Sequence, residues 1–357
     1  MDRLKTVVLG ASGLVAQRLQ QRLHRHPWFE LCAIAGKSER QGETLDSILW
    51  RLPEERPPFG PLQIGDVHDA DLPKKLYEAG IRVAFSALPS EHAVEVEPMW
   101  ARSGIAVFSN ASSYRQDEGV PLVIPEINPH SLTQIGAIGY PLACATNCTL
   151  LPIIMPLTPL HRSFGLRSFS VRTEQALSGG GYRLIDHREG NSEPLEEDIP
   201  GEAIKTEAEF RRILDWNGTA EIVCKRVERN DGHHVSVKAE FENDITLDDI
   251  HQCLHQWNAL NANKEHPSAP HSPLMFPSDL DVKAHLFGDG IAFEDEPNPA
   301  RNLKTGMAIV VASIEVLDSR TVAFEAYSHN TIRGAAGGVV YLAELAYSMH
   351  LLGNDSS

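Results

Sequence analysis

The chain reads as an α/β protein, with an N-terminal doubly wound, Rossmann-like sheet followed by an α+β second domain whose sheet is mostly antiparallel. Three observations predict this. A short apolar strand near the N-terminus runs through a glycine turn into a helix. Further short apolar runs then alternate with helical segments, as in parallel sheets covered on both faces. Beyond residue 165 the runs lengthen and alternate apolar with polar, the signature of strands with one solvated face. A length of 357 residues suits two packed units.

Residues 4–9 form the first predicted strand. The turn Gly10-Ala11-Ser12-Gly13-Leu14-Val15-Ala16 leads into an amphipathic helix with Val15, Leu19 and Leu23 on one stripe. Residues 31–35 complete a βαβ unit. The runs 82–88, 105–108 and 121–124 supply further strands, with a helix over 91–103. In the second half, 166–175, 219–229, 233–241, 307–317 and 321–327 read as strands, the last two joined by an Asp-Ser-Arg turn. The polar stretch 186–202 and the proline-rich 261–278 read as surface loops. A final apolar, alanine-rich helix over 331–352, with Gly334, Gly337 and Gly338 near its start, is expected to pack back on the first domain. The expected division is therefore 1–147 plus the C-terminal helix 330–357 as one unit, and 148–329 as the other.

A formal net charge of −16, from 32 basic and 48 acidic side chains, argues against nucleic acid or an anionic membrane as a partner, because both are held by neutralising phosphate. The N-terminus lacks the basic flank and long apolar run of a signal peptide, so a cytoplasmic location is expected. Five cysteines, at 32, 144, 148, 224 and 253, show no paired CxxC spacing. Neither a disulfide framework nor a metal site is expected.

In the turn at Gly10, Gly13 and Ala16, small residues let the backbone approach a pyrophosphate while the helix N-terminus offers free amides. This pattern predicts a dinucleotide. At the end of the second strand, Lys37, Ser38 and Arg40 point to the 2′-phosphate of NADP, while Glu39 keeps NAD open. Downstream, Cys148 in Ala145-Thr146-Asn147-Cys148-Thr149 is a candidate thiolate nucleophile, which with a hydride cofactor implies thioester chemistry. His233, in the turn Asn230-Asp231-Gly232-His233, is the best candidate base, although a histidine at a strand start also serves structural ends.

Together with Gly10-Ala11-Ser12-Gly13, the runs 109–115 (SNASSYR), 125–129 (PEINP), Asn147-Cys148-Thr149, 175–182 (QALSGGGY), Asp231-Gly232-His233 and 333–337 (RGAAG) resemble aspartate-semialdehyde dehydrogenase, in particular its archaeal and fungal branch, over nearly the whole chain. The resemblance implies Cys148 as nucleophile, His233 as acid/base and Gln175 as the side chain orienting the acyl intermediate. It implies Arg226 for the substrate carboxylate, Glu202 for the amino group, and Lys205, Arg115 and Asn147 on the phosphate side. Cofactor contacts are implied for Gly10, Ser12, Gly13, Leu14, Val15, Lys37, Ser38, Arg40, Ala87, Leu88, Ser178, Gly179 and Asn330.

The activity so implied is NADP-dependent, phosphorylating reduction of L-4-aspartyl phosphate to L-aspartate 4-semialdehyde, with inorganic phosphate released and a homodimer or homotetramer as the assembly. A malonyl-CoA-type or N-acyl-glutamyl-phosphate reductase and a non-catalytic NADP-binding paralogue are the alternatives. Two local features carry expectations of their own. Pro152, Pro156 and Pro159 should interrupt or kink the helix expected to start at Cys148 and to lower its thiol pKa. Glu174, if it faces inward, should raise that pKa.

Overall fold

A computed structural model describes residues 3–190, 195–262 and 264–352. Residues 191–194 and 263 of the expected loops 186–202 and 261–278, and residues 353–357 of the expected C-terminal segment 330–357, lie outside the described residues. The first sheet contains β1 (Leu4–Leu9), β2 (Phe29–Gly36), β3 (Ile64–Asp66), β4 (Ile81–Ser86), β5 (Ala106–Ser109) and β6 (Leu142–Cys144). Its order is β3-β2-β1-β4-β5-β6 and every pairing is parallel. The order reverses between β1 and β4, which opens a crevice at the carboxyl ends of those strands.

Helices α1 (Leu14–Leu23), α2 (Leu72–Glu78) and α3 (Ser90–Ala101) complete this layer. The run 121–124 is not a strand; it touches the sheet edge only through a Leu122–Cys144 bridge. The sixth strand is β6, three residues too short for its pattern to stand out. Helix α1 also departs from its amphipathic expectation: Gln17, Arg18, Gln20, Gln21 and Arg22 are buried with Leu19 and Leu23. Their polar groups bond to the backbone and to Glu54, as in Gln20 Nε2 to Ala11 O (2.8 Å) and Arg18 to Glu54 (2.8 Å).

The chain crosses to the second layer through α4 (Leu151–Phe164). There follow β7 (Leu166–Gln175), α5 (Gly181–Glu189), α6 (Glu202–Leu214), β8 (Thr219–Arg226), β9 (His233–Phe241), α7 (Leu247–Asn261), β10 (Leu274–Met275), β11 (Ile309–Asp318) and β12 (Thr321–Ser328). The order is β10-β11-β12-β9-β7-β8; the central pairings are antiparallel, while both edge strands add in parallel. The expected strand 219–229 ends at Arg226, and the expected loop 186–202 begins inside α5. The proline-rich segment is not all surface, since Ser268 and Ala269 are fully buried and Leu274–Met275 is a strand.

Helix α4 lies across β7, β9, β11 and β12. On the opposite face, Ser170, Arg172, Val223, Lys238, Glu315 and Glu325 border an open cavity of about 560 Å³.

The last helix begins differently from its expectation. A π-helical turn, Ile332–Ala336, precedes α8 (Gly337–Ser348), which stops short of residue 352. Val339, Val340, Leu342 and Ala343 share one core with Val8, Phe29, Phe85 and Phe108 of the first sheet. Glu344 meets His26 at 2.9 Å with both side chains fully buried. Helix α8 therefore packs back on the first layer as its composition predicts.

Candidate active site

The two layers meet at Cys148, which occupies the turn between β6 and α4. The helix starts at Leu151, one turn later than expected, with Leu150 N–H bonded to Asn147 O (3.2 Å). Its prolines do not interrupt it. Pro152 lies in the first turn, where its missing N–H has no intrahelical role, and residues 151–160 are all buried by neighbouring elements that hold the helix through Pro156 and Pro159. Burial, with the charge of Glu202, pushes the Cys148 thiol up to about 11 against the pull of Arg115 and Arg226. The expected lowering of the thiol pKa is therefore not found. Glu174 is not the cause: it faces away, toward His234 Nδ1 (3.3 Å) and Arg229 (3.6 Å).

Topology explains how three more candidates reach this point. Strands β7 and β8 are parallel, so their last residues, Gln175 and Arg226, are register partners; β9 is antiparallel to β7, so its first residue, His233, starts at the same sheet edge. His233 Nε2 lies 3.3 Å from Cys148 Sγ. Its Nδ1 accepts the Ala176 N–H (3.1 Å), which places the neutral ring's proton on Nε2, facing sulfur. Complete burial, with Arg226 and Arg229 nearby, lowers the His233 pKa to about 3 and keeps the ring neutral. Arg226 donates to Ala176 O (2.7 Å), and the nearly buried Gln175 to Thr173 Oγ1 (3.4 Å).

The remaining polar candidates come from α6 and the first layer. Glu202, the first residue of α6, accepts from Asn147 Nδ2 (2.8 Å). Lys205, one turn later, is exposed at the rim. Arg115 is buried, donating to Asn110 O (2.7 Å) and to Glu209 (2.9 Å). Burial opposes its charge, but Glu209 outweighs it and the net pKa is raised. Glu209 and the Ala176 N–H were not identified from sequence. Glu209 lies seven positions after Glu202 on one helix, a spacing that repeats a face, and this was the available signal. Gly334, in the π-turn, is a further neighbour: a Cβ there would stand 2.5 Å from Cys148 Cβ.

The crevice fits a dinucleotide. Gly10 has φ +115°, a conformation costly for other residues, and Gly13 precedes α1 with no side chain capping the helix's free N–H groups. Open space lies over Gly13, and Leu14 and Val15 begin the helix behind it. Ala87 and Leu88 follow β4 across the crevice, while Lys37 and Ser38 are exposed at the end of β2, with Arg40 bonded to Glu43 (3.1 Å). Asn330 Nδ2 donates to Ser178 (2.9 Å) and its Oδ1 accepts the Gly232 N–H (2.7 Å), tying the 177–180 turn to the His233 turn. Gly179 borders Arg226 and His233. Among the described residues no cluster of three or more His, Cys, Asp or Glu could hold a metal ion.

A dinucleotide crevice joined to a cysteine–histidine pair defines a semialdehyde dehydrogenase-type oxidoreductase with an NAD(P)-binding Rossmann domain. In agreement, the family described as semialdehyde dehydrogenase, NAD binding domain, matches residues 5–135. An aspartate-semialdehyde dehydrogenase of Archaeoglobus fulgidus is 32% identical over 96% of this chain and 98% of its own. A malonyl CoA reductase (NADP) of Metallosphaera sedula is 29% identical, covering 96% of both chains. The crystal structure of the Candida albicans aspartate semialdehyde dehydrogenase with NADP superposes with a TM-score of 0.77 at 26% identity, over 98% of this chain and all of that one. The chain belongs to the aspartate-semialdehyde dehydrogenase family.

Proposed function

We propose that the protein is an NADP-dependent, phosphorylating aspartate-semialdehyde dehydrogenase that reduces L-4-aspartyl phosphate to L-aspartate 4-semialdehyde through a Cys148 thioester. The observation that carries this reading is the 3.3 Å Cys148–His233 contact ringed by Arg226, Glu202 and Arg115. A guanidinium for a carboxylate, a carboxylate for an ammonium and a second guanidinium for phosphate are complementary to an aminoacyl phosphate. Lys37, Ser38 and Arg40 support NADP over NAD.

Cys148 sulfur attacks the acyl carbon, the C–O bond to phosphate breaks, and the thiol proton leaves with inorganic phosphate. His233 steadies the sulfur by donating from Nε2, while Gln175 orients the acyl group and Asn147 with Lys205 flanks the phosphate. When bound, NADPH supplies the hydride that reduces the thioester carbon. The resulting hemithioacetal alkoxide collapses to the aldehyde, and His233 stabilises the departing thiolate, which regains a proton from solvent. The donor half of the acid/base role matches the resting tautomer; acting as base requires the Ala176–Nδ1 bond to open.

The Metallosphaera relative supports a second reading, malonyl-CoA reduction. Glu202 favours the first, since malonyl-CoA has no ammonium for it to meet. The open face of the second sheet supports assembly of two copies through that sheet. Initial rates of NADP and NAD reduction with L-aspartate 4-semialdehyde, with and without phosphate, test the proposal in wild type and Cys148→Ala. Phosphate-dependent turnover with NADP, lost at least about 1,000-fold in the variant, is expected. A variant as active as wild type removes the thioester mechanism, and turnover with malonyl-CoA alone moves the assignment to the second reading.

A further inference from the structure

Helix α6 reaches the nucleophile turn twice. Glu202 in its first turn takes the side-chain amide of Asn147, and Glu209, two turns on and almost fully buried, takes the Asn147 backbone N–H at 2.6 Å. The other oxygen of Glu209 takes Arg115 Nη1 at 2.9 Å. One carboxylate thus joins the residue preceding Cys148, on the crossover between layers, to a guanidinium from the first layer. Asn147 Oδ1 then accepts the Thr149 N–H (2.8 Å), so the turn is held on both sides of Cys148.

We propose that Glu209 is a positioning residue for the reaction: it fixes the Cys148 turn and the Arg115 guanidinium relative to each other, and its charge offsets that of Arg115 until a phosphate takes its place. The proposal rests on the reading of Cys148 as nucleophile and Arg115 as phosphate contact.

A purely structural duty is already performed by the next turn of α6. Arg212 donates to the carbonyls of Arg115, Asp117 and Val120, which anchors the 115–120 loop by its backbone. Glu209 instead engages a side-chain guanidinium and the amide adjoining the sulfur. Both partners are buried, so each needs this acceptor: without it a buried N–H and a buried cation are unpaired. The same two contacts give Glu209 an electrostatic effect on the thiol. Arg115 draws the thiol toward its ionised form, and the Glu209 carboxylate 2.9 Å from that guanidinium offsets its charge.

The test uses the full-length protein carrying Glu209→Gln, an isosteric change that keeps an acceptor for Asn147 but removes the ion pair. Three readouts are needed: kcat and KM for phosphate, NADP binding followed by fluorescence, and the pH profile of Cys148 alkylation by iodoacetamide read at the peptide level. Turnover should fall at least about tenfold and the phosphate KM should rise, with NADP binding unchanged. The alkylation midpoint should move to lower pH by about half a unit, because Arg115 is no longer offset.

A more reactive thiol in a slower enzyme is a combination that simple destabilisation does not produce. Glu207→Gln on the same helix, whose partner is Arg211, should leave every readout at wild type. The double variant with Arg115→Met should lose no more turnover than the worse single variant. Wild-type kcat, phosphate KM and alkylation midpoint in Glu209→Gln overturn the proposal, as does strict additivity with Arg115→Met. If Glu209→Gln does not fold, Glu209→Asp retains the charge but is too short for both contacts, and lowered turnover with an unshifted midpoint is then expected. The midpoint needs no substrate, so a wild-type protein inert toward L-aspartate 4-semialdehyde and phosphate refutes the proposed function while Glu209 is still judged by alkylation.

Discussion

Cys148 and His233 rest as a neutral pair because burial disfavours both charged forms, the thiolate and the imidazolium. In the free protein, Cys148 alkylation should therefore climb about tenfold per pH unit from pH 7 to 10; a plateau near neutrality would contradict the buried-thiol reading. His233 also ties stability to pH. Its folded pKa, about 3, lies below the ordinary 6.5, so below 6.5 the unfolded chain binds a proton that the folded chain refuses. Its contribution is present above that pH and is lost at about 1.4 kcal/mol per unit as pH falls toward 3. Melts at pH 7.5 and 5.5 should show a smaller acid penalty for His233→Asn than for wild type, and parallel curves would refute the assignment. The pairing of Cys148 with His233, 3.3 Å apart, was legible because each stood inside a short motif, whereas Arg226 was implied only by the family resemblance. Glu209 was not legible, since a glutamate in a charged helix looks like any solvated residue until the fold buries it.

Among the elements, two long strands were legible to the residue, 166–175 and 233–241 matching β7 and β9, while the equally long β11 begins two residues after the expected start at 307. Strands β3 and β6 were not legible, because three residues carry no period. Nor could local propensity foresee an unbroken α4, whose prolines are buried in a helix packed on the second sheet and α7. The π-turn at Ile332–Ala336 is another case in which tertiary contact decides. Its extra backbone residue lets Gly334 press against Cys148, and Arg333 anchors it to Glu126 at 2.8 Å. Gly334→Ala should overpack this contact, lowering stability by about 1–3 kcal/mol and turnover about ten- to a hundredfold. NADP affinity should hold, because the change lies at the thiol end of the site. Melting curves, initial rates and nucleotide titration check the three effects.

Across the whole molecule, the second sheet wears its helices on one face and leaves the other to mixed charges and the half-exposed Val223. Two copies joined through this face would bury Val223, and Val223→Asp should shift sedimentation toward the monomer while the melting transition of the isolated fold changes little; an unchanged sedimentation profile would place the interface elsewhere. Within the chain the two layers are also clasped by a second set of side chains. Arg51 pairs with Asp186 and stacks on Tyr182 (4.0 Å), whose hydroxyl donates to Gln17 on α1 (2.8 Å).

Helix α8 carries a consequence for how the protein is made. The first sheet's core contains Val339, Val340, Leu342 and Ala343, so strands synthesised within the first 144 residues wait for side chains encoded some 200 positions later. The ribosome delivers the second layer before the first can close. During translation the α8-facing side of the parallel sheet therefore stays uncovered until that helix is released.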